Sequence, residues 1–313
     1  MKREFARGLC DAARHDDRIW LLTGDLGYAV LDEFAAEFPG RFVNVGVAEQ
    51  NMMTVAAGLA ATGQIPFTYS IANFATARCL EQIRNDICYP GLAVNIVSVG
   101  AGRDYGTAGY THHGLEDLAI MGALPHLTIA APINGRQARE LTSWLVRAPG
   151  PAYLRLANDP GTLLPAHKPC PRGLVMIRPT LLAEGRDTVL VAAGAATSVA
   201  VRAAHLLSSG AGITTSVLTV PILKPFPAQE ITQHLSSHRL AVVIEDHGPF
   251  GGLGTLVSEA MSDATVPVPL VRFALDSEMR SELRNLHVAE RLDPDLISTV
   301  VAQHLAGMAA GRR

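Results

Sequence analysis

The feature that most restricts how this chain can fold is a repeated succession of short, almost wholly apolar runs and longer stretches of helical periodicity. Residues 19–22, 42–47, 65–69, 92–99, 127–131 and 152–156 are apolar runs of strand length, rich in branched side chains. Helical patterns separate most of them, such as 51–61, which Gly63 stops, and 72–88. Strands without a polar alternation are buried on both faces, and strands that alternate with helices form a mainly parallel sheet between helical layers.

The alternation lapses from residue 157 to about 186, where Asp159-Pro160-Gly161, Pro165, Pro169, Pro171 and Gly173 interrupt any regular element. A second series then follows, with strands over 188–193, 214–220 and 240–245 and a helix over 196–208. The expected fold class is α/β, as two open, mainly parallel α/β sandwich domains in series: 1–160, a linker over 161–186, and 187–313. With 48% hydrophobic and 18% charged residues there is material for both cores.

Several function classes fall away on composition. The net charge is −3, with no basic block and no acidic tail, which argues against nucleic acid or a membrane surface as partner. No apolar run reaches the ~18 residues that a membrane-spanning helix needs. Met1-Lys2-Arg3-Glu4-Phe5-Ala6-Arg7 has no apolar stretch behind its charges, so no signal peptide is expected. Cys10, Cys79, Cys88 and Cys170 have no ligand-like spacing and are expected to be reduced thiols, mostly buried, in a cytoplasmic protein. No metal site is expected on this chain.

Ligands of open α/β sheets sit beyond the carboxyl ends of the strands. That rule singles out Gly24-Asp25, the turn 46–50, the loop 100–113 and Arg155, and in the second domain Gly194-Ala195, Asp246-His247-Gly248 and Gly251-Gly252-Leu253-Gly254. Gly100-Ala101-Gly102-Arg103-Asp104-Tyr105-Gly106 is not a dinucleotide fingerprint: three residues separate its second and third glycines, and a polar loop stands where a helix should open.

Glu49, in Val45-Gly46-Val47-Ala48-Glu49-Gln50, opens a helical pattern. Alone it reads as a helix-dipole charge; among Val45, Val47, Met52, Met53 and Val55 it reads as a sunken carboxylate that needs a partner, for which a ligand ring nitrogen would serve. His112 and His113 follow a glycine-rich loop; no Asp, Glu or Cys cluster completes a metal set, and proton exchange with substrate hydroxyls is the functional alternative to a structural role. Phe74 is core filler or a stacking platform for a heteroaromatic ring. Arg155, within Tyr153-Leu154-Arg155-Leu156, either pairs with a carboxylate or captures an anion.

These segments resemble a known family. Residues 41–52 are similar to the cofactor-activating turn of transketolases, above all of the split transketolases, whose halves are separate chains. Phe74-Ala75-Thr76-Ala77-Arg78 with Glu81-Gln82-Ile83-Arg84-Asn85-Asp86 resembles the helix that follows it, and Gly109-Tyr110-Thr111-His112-His113-Gly114 the glycine–histidine loop. Gly24-Asp25-Leu26 and the segment 246–254 fall in register, so that the resemblance spans nearly the whole chain.

The resemblance implies a transferase subunit that moves a two-carbon ketol unit from a ketose or ketose phosphate to an aldehyde, using thiamine diphosphate. Glu49 would bond the aminopyrimidine N1′ and activate the cofactor. Phe74 and Ile71 would contact its ring, with Asp25 nearby. His112, with His113 beside it, would meet the donor's oxygens, and Arg155 would grip a sugar phosphate. Mg²⁺ and the diphosphate would be held by a partner, the N-terminal subunit with its Gly-Asp-Gly…Asn motif, in an α₂β₂ heterotetramer. The chain departs from the pattern at Ile71, where the family has phenylalanine, at Gly100, where it has histidine, and at Ala108, where it has aspartate; Tyr110 and His113 are also changed. These departures point to a non-standard substrate, such as one of specialised metabolism. The alternatives are the β subunit of a 2-oxo acid dehydrogenase and a non-catalytic regulatory subunit of the same fold.

Overall fold

The computed structural model describes residues 1–158, 177–275, 282–283, 286–289 and 291–310. Its strands are β1 Ile19–Thr23, β2 Phe42–Asn44, β3 Ile65–Ile71, β4 Asn95–Val99, β5 Thr128–Ala130, β6 Ala152–Leu156, β7 Thr180–Ala183, β8 Thr188–Ala192, β9 Thr215–Thr219, β10 Ile222–Lys224, β11 Leu240–Ile244, β12 Leu270–Leu275, β13 Glu282–Leu283 and β14 Leu286–Ala289. They form two seven-stranded sheets, each the centre of its own compact unit.

The first sheet runs β10-β5-β6-β4-β3-β1-β2 and is parallel except for β10, which lies antiparallel to β5. Every residue of β4 and of β6 is buried, including the polar Asn95, Ser98 and Arg155, as befits strands covered on both sides. The helix Lys2–Ala13 packs on the helix Gly135–Leu145, and the helix Glu49–Ala61 packs on β3 and β1. Parallel register carries Thr23, Asn44, Tyr69 and Val99 to the same end of the sheet. Chain reversals at that end supply the residues of the site.

The second sheet runs β13-β14-β12-β11-β8-β9-β7, parallel in its interior and closed at each edge by one antiparallel strand. Its core sets Ala196, Ala200, Ala203 and Leu207 of the helix Ala196–Ala211 against Leu190, Val242 and Phe273, with Val300 and Val301 from the helix Pro294–Ala310. The small residues of the first helix let it lie close to the strands and to the last helix.

Three elements depart from the sequence expectation in ways that bear on the site or on the domain boundary. The linker expected over 161–186 holds β7, a half-buried edge strand paired antiparallel with β9; residues 159–176 of that stretch lie outside the described residues, Cys170 among them. The strand β10, between Pro221 and Pro225, belongs to the first unit although it follows β9 of the second. The expected continuous helix over 72–88 is a series of short turns, Ala72–Ala75, Ala77–Cys79 and Leu80–Gln82, ending in a π-helix at Ile83–Cys88. Such wide turns recur at functional sites, where one extra residue re-aims the side chains that follow. Among the described residues no helix is long and apolar enough to cross a membrane.

Candidate active site

Glu49 is the first residue of its helix, and only 1% of its surface is exposed. Its Oε1 accepts a hydrogen bond from Ser70 Oγ of β3 at 3.3 Å, and its Oε2 accepts one from Arg78 Nη1 at 2.6 Å. Gly24, just after β1, makes room for it: a Cβ there would stand 3.2 Å from both Glu49 Cγ and Oε1. The burial of Glu49 does not come from all of the neighbouring apolar residues, since Val47 is 75% exposed and Val55 36%. It comes from the close approach of β1 and β3 to the helix start. A buried carboxylate is tolerated only with such partners.

Asp25 stands at φ 57 in the exposed loop beyond Gly24. Its backbone N–H donates to Asn44 Oδ1 at 3.0 Å, and its Oδ1 accepts from Asn44 Nδ2 and from Tyr28 OH, each at 3.1 Å. Asn44 Oδ1 also accepts from Gly46 N at 3.0 Å. One asparagine side chain thus ties the loop after β1 to the turn that delivers Glu49.

Phe74 and Ile71 are half-buried at the end of β3 and in the turn after it. The Phe74 ring meets the His112 ring in an edge arrangement, with centroids 5.4 Å apart at 66°, and Arg78 Cζ lies 4.1 Å from the Phe74 centroid. Asn73 Nδ2 donates to the carbonyls of Tyr110 and Thr111 at 3.2 and 3.3 Å, which fixes the turn bearing Phe74 to the turn bearing His112. Thr111 Oγ1 holds His112 Nδ1 at 2.9 Å, leaving Nε2 as the ring's other polar atom. Tyr105 stands edge-on to His112, with centroids 5.8 Å apart, and its ring fills the space beside Gly100. A Cβ on Gly100 would lie 2.2 Å from Tyr105 Cε2, so that a side chain at position 100 and this ring exclude one another.

Arg78 touches both Glu49 and Phe74, and His112 touches Phe74. Two expected site residues stand apart. His113, 2% exposed, turns inward and donates from Nε2 to the Gly106 carbonyl at 3.0 Å. It braces the loop from within. Arg155 takes the carboxylate-pairing option: Nε donates to Asp117 Oδ2 at 2.7 Å, while Nη2 donates to Asp117 Oδ1 at 3.3 Å and to the Gly114 carbonyl at 2.9 Å. The side chains are 2% and 0% exposed, and this buried ion pair anchors the histidine loop. Tyr153 OH donates to Asp117 Oδ2 at 2.6 Å; burial and that carboxylate push its phenol well above the usual range.

Ser70, Asn44, Arg78 and Asp117 went unassigned at the level of sequence. Arg78 carried the only local signal, a cation four residues after Phe74 on a helical pattern. Among the described residues no group of three or more His, Cys, Asp or Glu side chains is placed to hold a metal ion. Cys10, Cys79 and Cys88 are free and buried.

A buried carboxylate at a helix start, linked through Arg78 to an aromatic ring that a histidine touches, stands at the carboxyl end of the parallel sheet. Comparison with known proteins gives the family. The family described as the transketolase pyrimidine binding domain matches residues 1–159, and the transketolase C-terminal domain matches residues 180–295. The chain is 34% identical over 271 residues to a subunit of the apulose-4-phosphate transketolase of Phocaeicola vulgatus, with 86% of each chain covered. It is 36% identical over 265 residues to the 6-deoxy-6-sulfo-D-fructose transketolase subunit SqwH of Clostridium sp. (strain MSTE9), covering 84% of this chain and 81% of that one. A solved split gene transketolase, an inactive beta4 tetramer, matches with a TM-score of 0.81 at 32% identity over 97% of each chain. The chain belongs to the transketolase family, and it carries the pyrimidine-binding and C-terminal domains in that order.

Proposed function

We propose that this chain is the subunit of a split transketolase-type enzyme that supplies the activating carboxylate to thiamine diphosphate, for transfer of a two-carbon ketol unit from a ketose donor to an aldehyde. The observation that carries this reading is the burial of Glu49 against Gly24, with the Arg78 guanidinium joining it to Phe74. A flat nitrogen heterocycle would fit these two residues, because a planar guanidinium already contacts both. Thiamine diphosphate would supply the electron sink for the two-carbon carbanion left by C–C cleavage. Glu49 would hold or return a proton at Oε2, while Ser70 keeps the other oxygen in place. Phe74 and Ile71 would fix the plane of the ring, and Asp25 would lie at the rim. His112 Nε2 faces outward from Thr111 and would exchange protons with a donor hydroxyl.

Mg²⁺ and the diphosphate would be held by a partner, the N-terminal subunit, in an α₂β₂ assembly in the cytoplasm. The inactive beta4 tetramer of the split-gene relative supports the need for that partner. The substrate would be non-standard. Relatives acting on apulose 4-phosphate and on 6-deoxy-6-sulfo-D-fructose are in keeping with this, as is Tyr105 occupying the place of a side chain at position 100.

The test is to co-purify the chain with the diphosphate-binding subunit and titrate thiamine diphosphate with Mg²⁺. Binding by the pair and not by this chain alone is expected, and Glu49→Gln should abolish turnover while the assembly survives. Retention of most of the activity in Glu49→Gln would refute the role given to Glu49. Full turnover of xylulose 5-phosphate with ribose 5-phosphate would refute the non-standard substrate.

A further inference from the structure

Arg78 makes two contacts that join Glu49 to Phe74 through its guanidinium. Nη1 donates to Glu49 Oε2 at 2.6 Å, and Cζ stands 4.1 Å from the centroid of Phe74. A guanidinium is planar and delocalised, with N–H groups along its edge, so that its face stacks on an aromatic ring while its edge bonds to a carboxylate. An aminopyrimidine bound to these residues has the same outline: a flat conjugated face toward Phe74 and a nitrogen edge toward Glu49. A ring that stacks on the Phe74 face that Arg78 covers, and also bonds to Oε2, needs the volume that Arg78 fills.

We propose that Arg78 is a tethered occupant of the aminopyrimidine slot, which the cofactor's ring must displace in order to bind; this rests on the cofactor reading of Glu49 and Phe74 above. Exposure makes the exchange feasible. The Arg78 side chain is 40% exposed whereas that of Glu49 is 1% exposed, so the arginine has an outward path and the carboxylate has none. The local backbone helps as well, because Arg78 lies in the 3₁₀ turn Ala77–Cys79, between two short helical turns and outside any continuous helix. The exchange also answers a problem of burial. A lone carboxylate at the site of Glu49 would be costly. With Arg78 as tenant, Glu49 has a donor on Oε2 before the ring arrives and another afterwards, and Ser70 bonds to Oε1 throughout. Arg78 is thus a positioning residue for Glu49 and a competitor for its ligand.

The experiment titrates thiamine diphosphate with Mg²⁺ into the co-purified pair by calorimetry, for the wild type, Arg78→Ala and Arg78→Lys. Removing the tenant should tighten binding roughly tenfold, or ~1.4 kcal/mol, with Arg78→Lys in between, since it keeps a charge but loses the stacking plane. Equal or weaker binding by Arg78→Ala would overturn the proposal while leaving the cofactor reading intact. Absence of binding in the wild type would overturn both. A second measurement needs no variant: phenylglyoxal modification of wild-type Arg78, read by mass spectrometry with the exposed Arg84 as internal reference. Saturating thiamine diphosphate with Mg²⁺ should increase modification of Arg78 relative to Arg84 severalfold, and protection would overturn the displacement.

Discussion

Replacing Arg155 separates a structural role from a substrate role. Arg155→Met removes the bonds from Nε and Nη2 to Asp117 and to the Gly114 carbonyl, in surroundings where the two side chains are 2% and 0% exposed. Breaking a buried pair by deleting one partner costs about 3–5 kcal/mol, because the remaining charge is stranded in a poorly polarisable interior. At roughly 2–4 °C per kcal/mol for a domain of 150–250 residues, the unfolding of the first domain should move down by about 6–20 °C. Differential scanning calorimetry of the full chain reads this directly. The double variant Arg155→Met/Asp117→Leu should recover most of the loss, since an apolar pair of similar volume leaves no charge stranded. Tyr153 OH can then donate to Ser98 Oγ, already 2.6 Å away. A single variant that melts within about 2 °C of wild type, yet needs tenfold more of a phosphorylated substrate to reach half its rate, would refute the buried-pair account and restore the phosphate grip.

Two other perturbations follow from the geometry. Gly24→Ala places a Cβ 3.2 Å from Glu49 Oε1, so kcat of the assembled enzyme should fall by about tenfold or more while circular dichroism stays unchanged, as reorienting a catalytic group requires. In the second domain, burial pushes the Glu245 carboxyl up to about 7 from 4.5. The folded protein binds that proton more tightly than the unfolded chain, so the contribution is fully present below 4.5 and is lost as pH rises through about 7. The urea midpoint should therefore fall across that window, and Glu245→Gln should flatten the fall.

Most of the interior strands were legible in the sequence because burial on both faces leaves a mainly apolar signature, as in β8 and β11. The edge strands β7 and β10 were not: they are short, partly exposed or flanked by prolines, and they pair with strands distant in sequence. Glu49 could be singled out because an acid within an apolar turn is conspicuous. Its partners could not, since Ser70 lies 21 positions away and Arg78 lies 29 positions away, and only parallel register brings them together. Arg155 was legible as one of two options; the choice depended on Asp117, 38 positions earlier, arriving beneath it. The different placement of His113 was not legible, because the 3₁₀ turn ends at His112 and the extended residue after it diverges, His112 toward Phe74 and His113 under the loop.

The strand β10 limits how this protein can be cut. Its three residues leave the second unit, complete the edge of the first sheet beside β5, and send Lys224 Nζ to the Gly122 carbonyl at 2.7 Å, at the end of the helix Asp117–Gly122. A fragment stopping near residue 158 would leave β5 with an open row of backbone donors and acceptors, the template on which chains add to one another. Gene fission or domain shuffling at that boundary would therefore yield sticky pieces, and the unit that can be inherited as a working module is the pair of sheets.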